Sequence, residues 1–443
     1  MHYDVGVLGL GYVGLTFATA LADLDMNVLG VEKRQDLVDM TNAGVPHFAE
    51  TGLKSVMQHV IQRTGRLSAV TEFGAEDTCN VYVITVGTPL DADGKTNLSF
   101  IQTATRQVAE NMMDGALVIL RSTVAIGTAR NIVSPILQAS GKSFQIAMCP
   151  ERTLEGRAMQ ELRQLPQIVG ADDKATRERA AHFFYKLTPT CVQVSSLEAA
   201  EIVKLTDNTY RDVQFAFANE IARVCEAYDV NAMEVINGGK LGYPRTNVAL
   251  PGLVGGPCLE KDPHILTQSL EKVDISLDIA PAARRVNERQ PVETVKFLAS
   301  EVRKNASGRD PIIALMGMAF KGVPATDDMR GSMALRVLEA LRAELPNAEI
   351  RLYDPVCDIE NLREINGGSM AVSTQAEAIA GADCVIIANN HPSFGETPPA
   401  EMLSNLASNG FIYDYWNHFW NHRGHEVGDR YYAVGNTKKV RSA

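Results

Sequence analysis

Short apolar runs alternate with helical patterns along most of this chain. Residues 4–8 form an apolar strand pattern, and Gly9-Leu10-Gly11-Tyr12-Val13-Gly14 leads from it into a helical stretch reaching about residue 24. Residues 27–31 read as a second strand, closed by Glu32. Further strand patterns at 81–86, 117–120 and 145–148 end in Gly87-Thr88-Pro89, in Arg121-Ser122-Thr123-Val124 and in Cys149-Pro150-Glu151-Arg152-Thr153. Strands alternating with helices predict a parallel sheet that binds ligands beyond the carboxyl ends of its strands. The pattern changes at about residue 195. From there to 228 it is helical with no internal Pro or Gly, longer than an ordinary globular helix. Another helical stretch spans 281–304, and the polar 305–310 reads as a linker. Strand patterns at 312–316, 349–353, 384–388 and 411–413 then open a second α/β unit. The expected fold class is α/β, with two Rossmann-like doubly wound domains joined by a long central helix. The expected boundaries are 1–195, 196–305 and 306–443.

The glycine turn adds chemistry to this architecture. Strand, G-x-G-x-x-G, helix, strand and acid, in that order, form a dinucleotide-binding fingerprint. Gly9 makes the tight turn, Gly11 admits a pyrophosphate and Gly14 lets the helix lie close on the sheet. Tyr12 and Val13 open that helix, whose N-terminus faces the phosphates. Glu32 stands 18 residues past Gly14, where a carboxylate accepts bonds from ribose hydroxyls and favours NAD over NADP. Thr88 and Thr123 stand at strand ends, where each reads either as a ligand contact or as a helix cap. The Glu151-Arg152 pair is either a surface ion pair or a base beside an anion clamp.

A second stretch carries candidate chemistry: Gly255-Gly256-Pro257-Cys258-Leu259-Glu260-Lys261-Asp262. Glycines allow close approach to a ligand, and a nearby cation such as Lys261 favours the thiolate, the nucleophilic form. The alternative is a structural Cys buried in a tight turn. On the long helix, Lys204, Asn208, Arg211 and Asp212 fall at i, i+4, i+7 and i+8, on one face. Ile202, Val203, Leu205, Phe215 and Phe217 flank them, so the helix is expected to be buried on most sides. Polar groups there need partners or a ligand.

Composition narrows the partners. At 443 residues the chain has room for about three domains. A formal charge of -11 without a large basic block argues against nucleic acid or an anionic membrane as partner. Seven cysteines, no two within four residues, show no zinc knuckle and predict a reduced, cytoplasmic protein. Neither a signal peptide nor a membrane-spanning run is expected. His418, His422 and His425 have helical spacing. They read as a metal site or, in preference, as a polar surface segment among Trp416, Phe419 and Trp420, so no metal is expected.

These features together resemble the nucleotide-sugar 6-dehydrogenases, the UDP-glucose/GDP-mannose dehydrogenase family. The resemblance covers nearly the whole chain. It rests on the Gly9 to Gly14 turn, Ser122-Thr123-Val124, Pro150-Glu151-Arg152, the helix from Glu201 to Asn208, the Gly255 to Asp262 loop and Gly317 to Lys321. Asn208-Thr209-Tyr210-Arg211-Asp212-Val213, Ala216 to Glu220 and Tyr243-Pro244-Arg245 look most like the UDP-N-acetylhexosamine branch, the UDP-N-acetylmannosamine dehydrogenases. Pro257 departs from that branch, which commonly has His there. Leu259-Glu260-Lys261 looks more like the UDP-glucose branch, and two extra residues lie between Lys321 and Arg330. The resemblance implies oxidation of a sugar C6 alcohol to the carboxylate with two NAD. Cys258 would be the covalent nucleophile, and Asp262 and Lys204 would manage the proton. Lys204 and Asn208 would stabilise the oxyanion, and Glu151, helped by Thr123, would activate water.

Arg152, Arg211, Arg245 and Lys321 are the diphosphate candidates, with Thr153, Tyr243, Gly255 and Phe320 beside the substrate and Arg330 near the NAD phosphates. The second α/β lobe would bind uridine, and the long helix would form a homodimer interface. Two other readings stand beside this one. A single-step dehydrogenase would need no Cys and give one NADH per substrate, and a non-catalytic NAD-binding protein would turn nothing over. UDP-glucose and GDP-mannose remain alternative substrates.

Overall fold

The computed structural model describes residues 1–271, 273–305, 308–365, 368–420 and 430–436. The first sheet holds β1 (His2–Leu8), β2 (Val28–Val31), β3 (Leu67–Val70), β4 (Thr78–Ile84), β5 (Ala116–Leu120), β6 (Phe144–Met148), β7 (Gln167–Gly170) and β8 (Cys191–Val194). Its strand order is β3-β2-β1-β4-β5-β6-β7-β8, parallel throughout except between β6 and β7. The order reverses between β1 and β4, and such a switch point leaves a crevice at the carboxyl ends of the strands. The glycine turn begins directly after β1, so it lies at this crevice. β5, Ala-Leu-Val-Ile-Leu, is buried at every position. A parallel strand covered on both faces calls for such an unbroken apolar run, each large side chain contributing roughly 1.5–3 kcal/mol.

The second sheet holds β9 (Ile312–Met316), β10 (Glu349–Tyr353), β11 (Met370–Ala371), β12 (Cys384–Ile387), β13 (Phe411–Asp414) and β14 (Tyr431–Ala433). Its order, β11-β10-β9-β12-β13-β14, is parallel throughout and is again doubly wound. Four helices carry or begin at residues of the candidate site: α1 (Tyr12–Ala22), α2 (Leu197–Tyr228), α3 (Asp262–Ser269) and α4 (Ile279–Asn305). α2 is the long helix, 32 residues without interruption. The chain forms two compact units, residues 1–208 with 264–276 and residues 209–263 with 277–443, and the division falls within α2. Among the described residues no helix is long and apolar enough to cross a membrane.

Two expectations are revised. The sequence pattern does not announce β3, β7, β8, β11 or β14. β3 and β8 are four-residue strands with half-exposed positions, and β11 has only two residues, so none presents a long apolar run. α2 is also less covered than its composition suggests, since Ile202 is 42% and Phe217 51% exposed.

Candidate active site

The glycine turn divides its labour among three positions. Gly9 has a φ of +92°, a conformation open to glycine and strained for other residues. A Cβ at Gly14 would overlap the Gly9 carbonyl oxygen, so this glycine lets α1 start against the turn. A Cβ at Gly11 would meet nothing within 4 Å, and this open backbone at the start of α1 is where a pyrophosphate can approach. Glu32, past the end of β2, accepts the Leu10 N–H at 2.9 Å and the Arg34 N–H at 3.2 Å. The carboxylate expected to meet the ribose is thereby fixed beside the turn. Tyr12 stacks on Phe48 with ring centroids 3.9 Å apart. Open backbone at Gly11, a helix N-terminus and a fixed acid together fit NAD.

Further along this sheet edge, Thr88 donates to the Thr123 carbonyl at 2.5 Å. This bond ties the two hydroxyl-bearing strand ends together. Glu151 is buried and paired with Arg121. Its other oxygen accepts the Arg152 and Thr153 N–H groups, each at 2.7 Å. Burial pushes the carboxyl up, but the Arg121 charge, the Thr153 amide, Lys204 and the Arg152 amide outweigh it and hold Glu151 below its ordinary value. Arg121 escaped the sequence reading. It is itself buried, stacks 4.5 Å from the Phe17 ring centroid and donates to Gln167 at 2.7 Å. A charged residue immediately after the apolar run of β5 was the available sign.

On α2, Lys204, Asn208 and Asp212 are buried and Arg211 is exposed. The polar face therefore holds three of the four expected residues. Another buried group on this helix, Glu201, accepts the Gly127 and Ala129 N–H groups at 2.6 and 2.9 Å. Burial pushes its carboxyl up to about 7. Asp212 is paired at 2.7 Å with Arg284 of α4, so its partner is a buried cation of this chain.

The thiol loop has a different logic from the one expected. Gly256 has a φ of +94°, and a Cβ there would strike the Phe320 ring. A Cβ at Gly255 would strike the Gly331 carbonyl, which already accepts the Gly256 N–H at 2.7 Å. The two glycines seat the loop on two segments of the second α/β unit. The Cys258 carbonyl accepts the Asp262 N–H at 2.9 Å, and the buried Asp262 opens α3. Lys261, three residues after the thiol, pairs with Asp262 at 2.7 Å.

Cys258 is exposed, whereas Cys79, Cys149, Cys225, Cys357 and Cys384 are buried and Cys191 is partly so. Burial pushes Cys79 up to about 12 and Cys191 up to about 11, and it raises Cys149, Cys357 and Cys384 as well. A raised thiol pKa suppresses the nucleophilic form. A packing role suits the buried thiols, and Cys258 is not buried.

Among the other expected residues, Arg152 donates to the Pro166 carbonyl at 2.5 Å. Arg245 lies 4.8 Å over the Tyr243 ring, both exposed. The Lys321 amine lies 5.1 Å from the Phe320 ring centroid. Arg330 is held by Asp328, its Nη2 2.7 Å from a carboxylate oxygen. His418 corrects the surface reading. Its side chain is 10% exposed and its Nδ1 lies 3.0 Å from the buried Asp414. Burial lowers its pKa, but the Asp414 charge and hydrogen bond raise it overall. His422 and His425 lie outside the described residues.

Sequence models of the UDP-glucose/GDP-mannose dehydrogenase family match three successive stretches. Its NAD binding domain matches residues 3–188, its central domain 198–289 and its UDP binding domain 314–421. The chain is 33% identical over 396 residues to the UDP-N-acetyl-D-mannosamine dehydrogenase of Pyrococcus horikoshii, a match covering 88% of this chain and 90% of that one. It is 31% identical over 416 residues to the enzyme of the same name from Campylobacter jejuni, covering 90% and 98%. The solved structure of the Pyrococcus horikoshii UDP-D-ManNAc dehydrogenase superposes with a TM-score of 0.86 at 31% identity, covering 99% of this chain and 100% of that one.

Proposed function

The chain belongs to the UDP-glucose/GDP-mannose dehydrogenase family, and from that premise we propose that it oxidises C6 of a UDP-N-acetylhexosamine, UDP-N-acetylmannosamine first, to the carboxylate. The observation that carries this reading is Cys258, the exposed thiol on a loop seated by two glycines, with the buried Asp262 one helical turn beyond it. Gly9, Gly11, Tyr12, Val13, Gly14, Glu32, Thr88, Thr123 and Arg330 would hold NAD, which would supply a hydride acceptor for each of two oxidations.

The chain's own residues do the rest. Asp262 and Lys204 take the hydroxyl proton as the alcohol becomes an aldehyde. The Cys258 sulfur then bonds to the aldehyde carbon and its proton passes to the new hydroxyl, giving a thiohemiacetal. Lys204 and Asn208 stabilise the oxyanion. As the second hydride leaves the carbon, Asp262 and Lys204 take the hydroxyl proton, and a thioester remains on Cys258. Glu151, helped by Thr123, accepts the proton of the water that cleaves the thioester, releasing the acid and the thiol. Three donors already occupy Glu151. Of about four lone-pair positions on a carboxylate, one remains for that water.

Arg152, Thr153, Arg211, Tyr243, Arg245, Gly255, Phe320 and Lys321 bind the UDP-sugar, the arginines suiting a diphosphate. The division of labour runs along the three segments, with NAD on 1–195, the thiol loop in 196–305 and UDP on 306–443. The test is a panel of UDP- and GDP-sugars with NADH counted per substrate. Turnover of UDP-N-acetylmannosamine above UDP-glucose and GDP-mannose supports the sugar, and equal or better turnover of UDP-glucose sinks it while leaving the reaction class intact.

The chain works as a homodimer in this reading. Tyr210, Phe217, Val224 and Tyr228 on α2 are 61%, 51%, 53% and 78% exposed. The first three repeat every seven residues, and so share one helix face suited to pairing with another helix. Sedimentation should give twice the 48.2 kDa chain mass and, for Phe217→Glu, the chain mass alone. A wild-type monomer removes the dimer reading.

A further inference from the structure

The thiol loop is tied down at both ends by one buried polar chain. Before Cys258, Gly252 exchanges two hydrogen bonds with the Asn219 side chain. Its N–H donates at 2.9 Å and its carbonyl accepts at 3.1 Å. The Asn219 amide also donates to Asn287 at 3.0 Å. Asn287 in turn donates to the Asp212 carboxylate at 2.9 Å and to the Asp212 backbone carbonyl at 3.2 Å. Arg284 then bonds the same Asp212 oxygen at 2.7 Å and the carbonyl of Leu259, the residue after Cys258, at 2.9 Å. Asp212 and Asn219 stand seven residues apart on α2, and Arg284 and Asn287 three apart on α4, so each helix presents one face to the chain. All four side chains are buried.

Such a chain is costly to bury, and apolar packing would join two helices equally well. What apolar packing cannot do is end on two backbone groups of one loop. We propose that Asp212, Asn219, Arg284 and Asn287 are positioning residues that set the Cys258 sulfur for attack on the aldehyde. This inference rests on Cys258 being the nucleophile. The network acts on the step after the first hydride transfer, because the thiol enters only then. A displacement of about 1 Å at a reacting group costs roughly a hundredfold in rate.

The test uses the full-length chain. The double variant Asp212→Leu/Arg284→Met removes the ion pair whole, an exchange buried pairs often tolerate. Asn219→Ala frees the other end of the loop. Thermal melts report folding, and alkylation of Cys258 by iodoacetamide reports the thiol without turnover. The expected result is a folded protein with KM near wild type, kcat down by about a hundredfold and an altered alkylation rate. NADH per sugar should fall from two towards one, as aldehyde escapes the second oxidation. If the double variant does not fold, Asn219→Ala carries the same expectation. Wild-type kcat and two NADH per sugar in a folded variant overturn the proposal. So does a kcat that falls only in step with thermal stability. Cys258→Ser, assayed alongside, separates the two ideas. Full turnover there removes the nucleophile, whereas an inactive Cys258→Ser beside normal network variants removes only the positioning role.

Discussion

Glu151 shows how much a single side chain carries. Its carboxylate neutralises the buried Arg121 guanidinium and caps two backbone amides. Because its folded pKa lies below its unfolded value, its stabilisation is present above the unfolded value and is lost as pH falls through the folded one. Glu151→Gln leaves Arg121 buried without its counter-charge, a loss of about 3–5 kcal/mol for a broken buried pair. Melts at pH 7 should show that loss, and the gap between wild type and variant should narrow as pH falls below about 4. A gap independent of pH would contradict the assignment. The sequence showed Glu151 and Arg152 as neighbours and invited a pairing between them. The partner is Arg121, just past the end of the adjacent strand β5, because strand pairing brings together residues that sequence distance separates.

At the scale of elements, the strand–turn–helix start of the chain was fully legible. Three glycines at fixed spacing admit few backbone paths, and the structure uses each differently. Gly14→Ala drives a methyl into the Gly9 carbonyl and should lower the melting temperature. Gly11→Ala meets no protein atom, so it should melt like wild type while weakening NAD affinity at least about tenfold, by blocking close approach of the pyrophosphate. Calorimetric titration with NAD beside a thermal melt checks both. Equal destabilisation by the two substitutions would contradict the division of roles. The thiol loop was legible in its residues but not in its contacts. Gly255 and Gly256 suggested room for a ligand, and their nearest demands prove to be Gly331 and Phe320, some 70 residues away. Arg284 and Asn287 were invisible for the same reason. They lie on a stretch that the sequence shows only as helical, and only their burial beside Asp212 marks them.

At the scale of the whole chain, one doubly wound sheet precedes a helix of 32 residues and a second comes after it in sequence. That plan was readable from the alternation of apolar runs, since parallel strands buried on both faces leave a plain trace. Short edge strands with half-exposed positions left none. In the proposed reaction one thiol carries the sugar through both oxidations, so the aldehyde stays bound. NADH released per UDP-N-acetylmannosamine, counted for wild type and Cys258→Ser, tests it most directly. Wild type should release two NADH per sugar, and Cys258→Ser should lose overall turnover by several orders of magnitude, with substrate and NAD binding retained. Two NADH per sugar at the full wild-type rate from Cys258→Ser would contradict it.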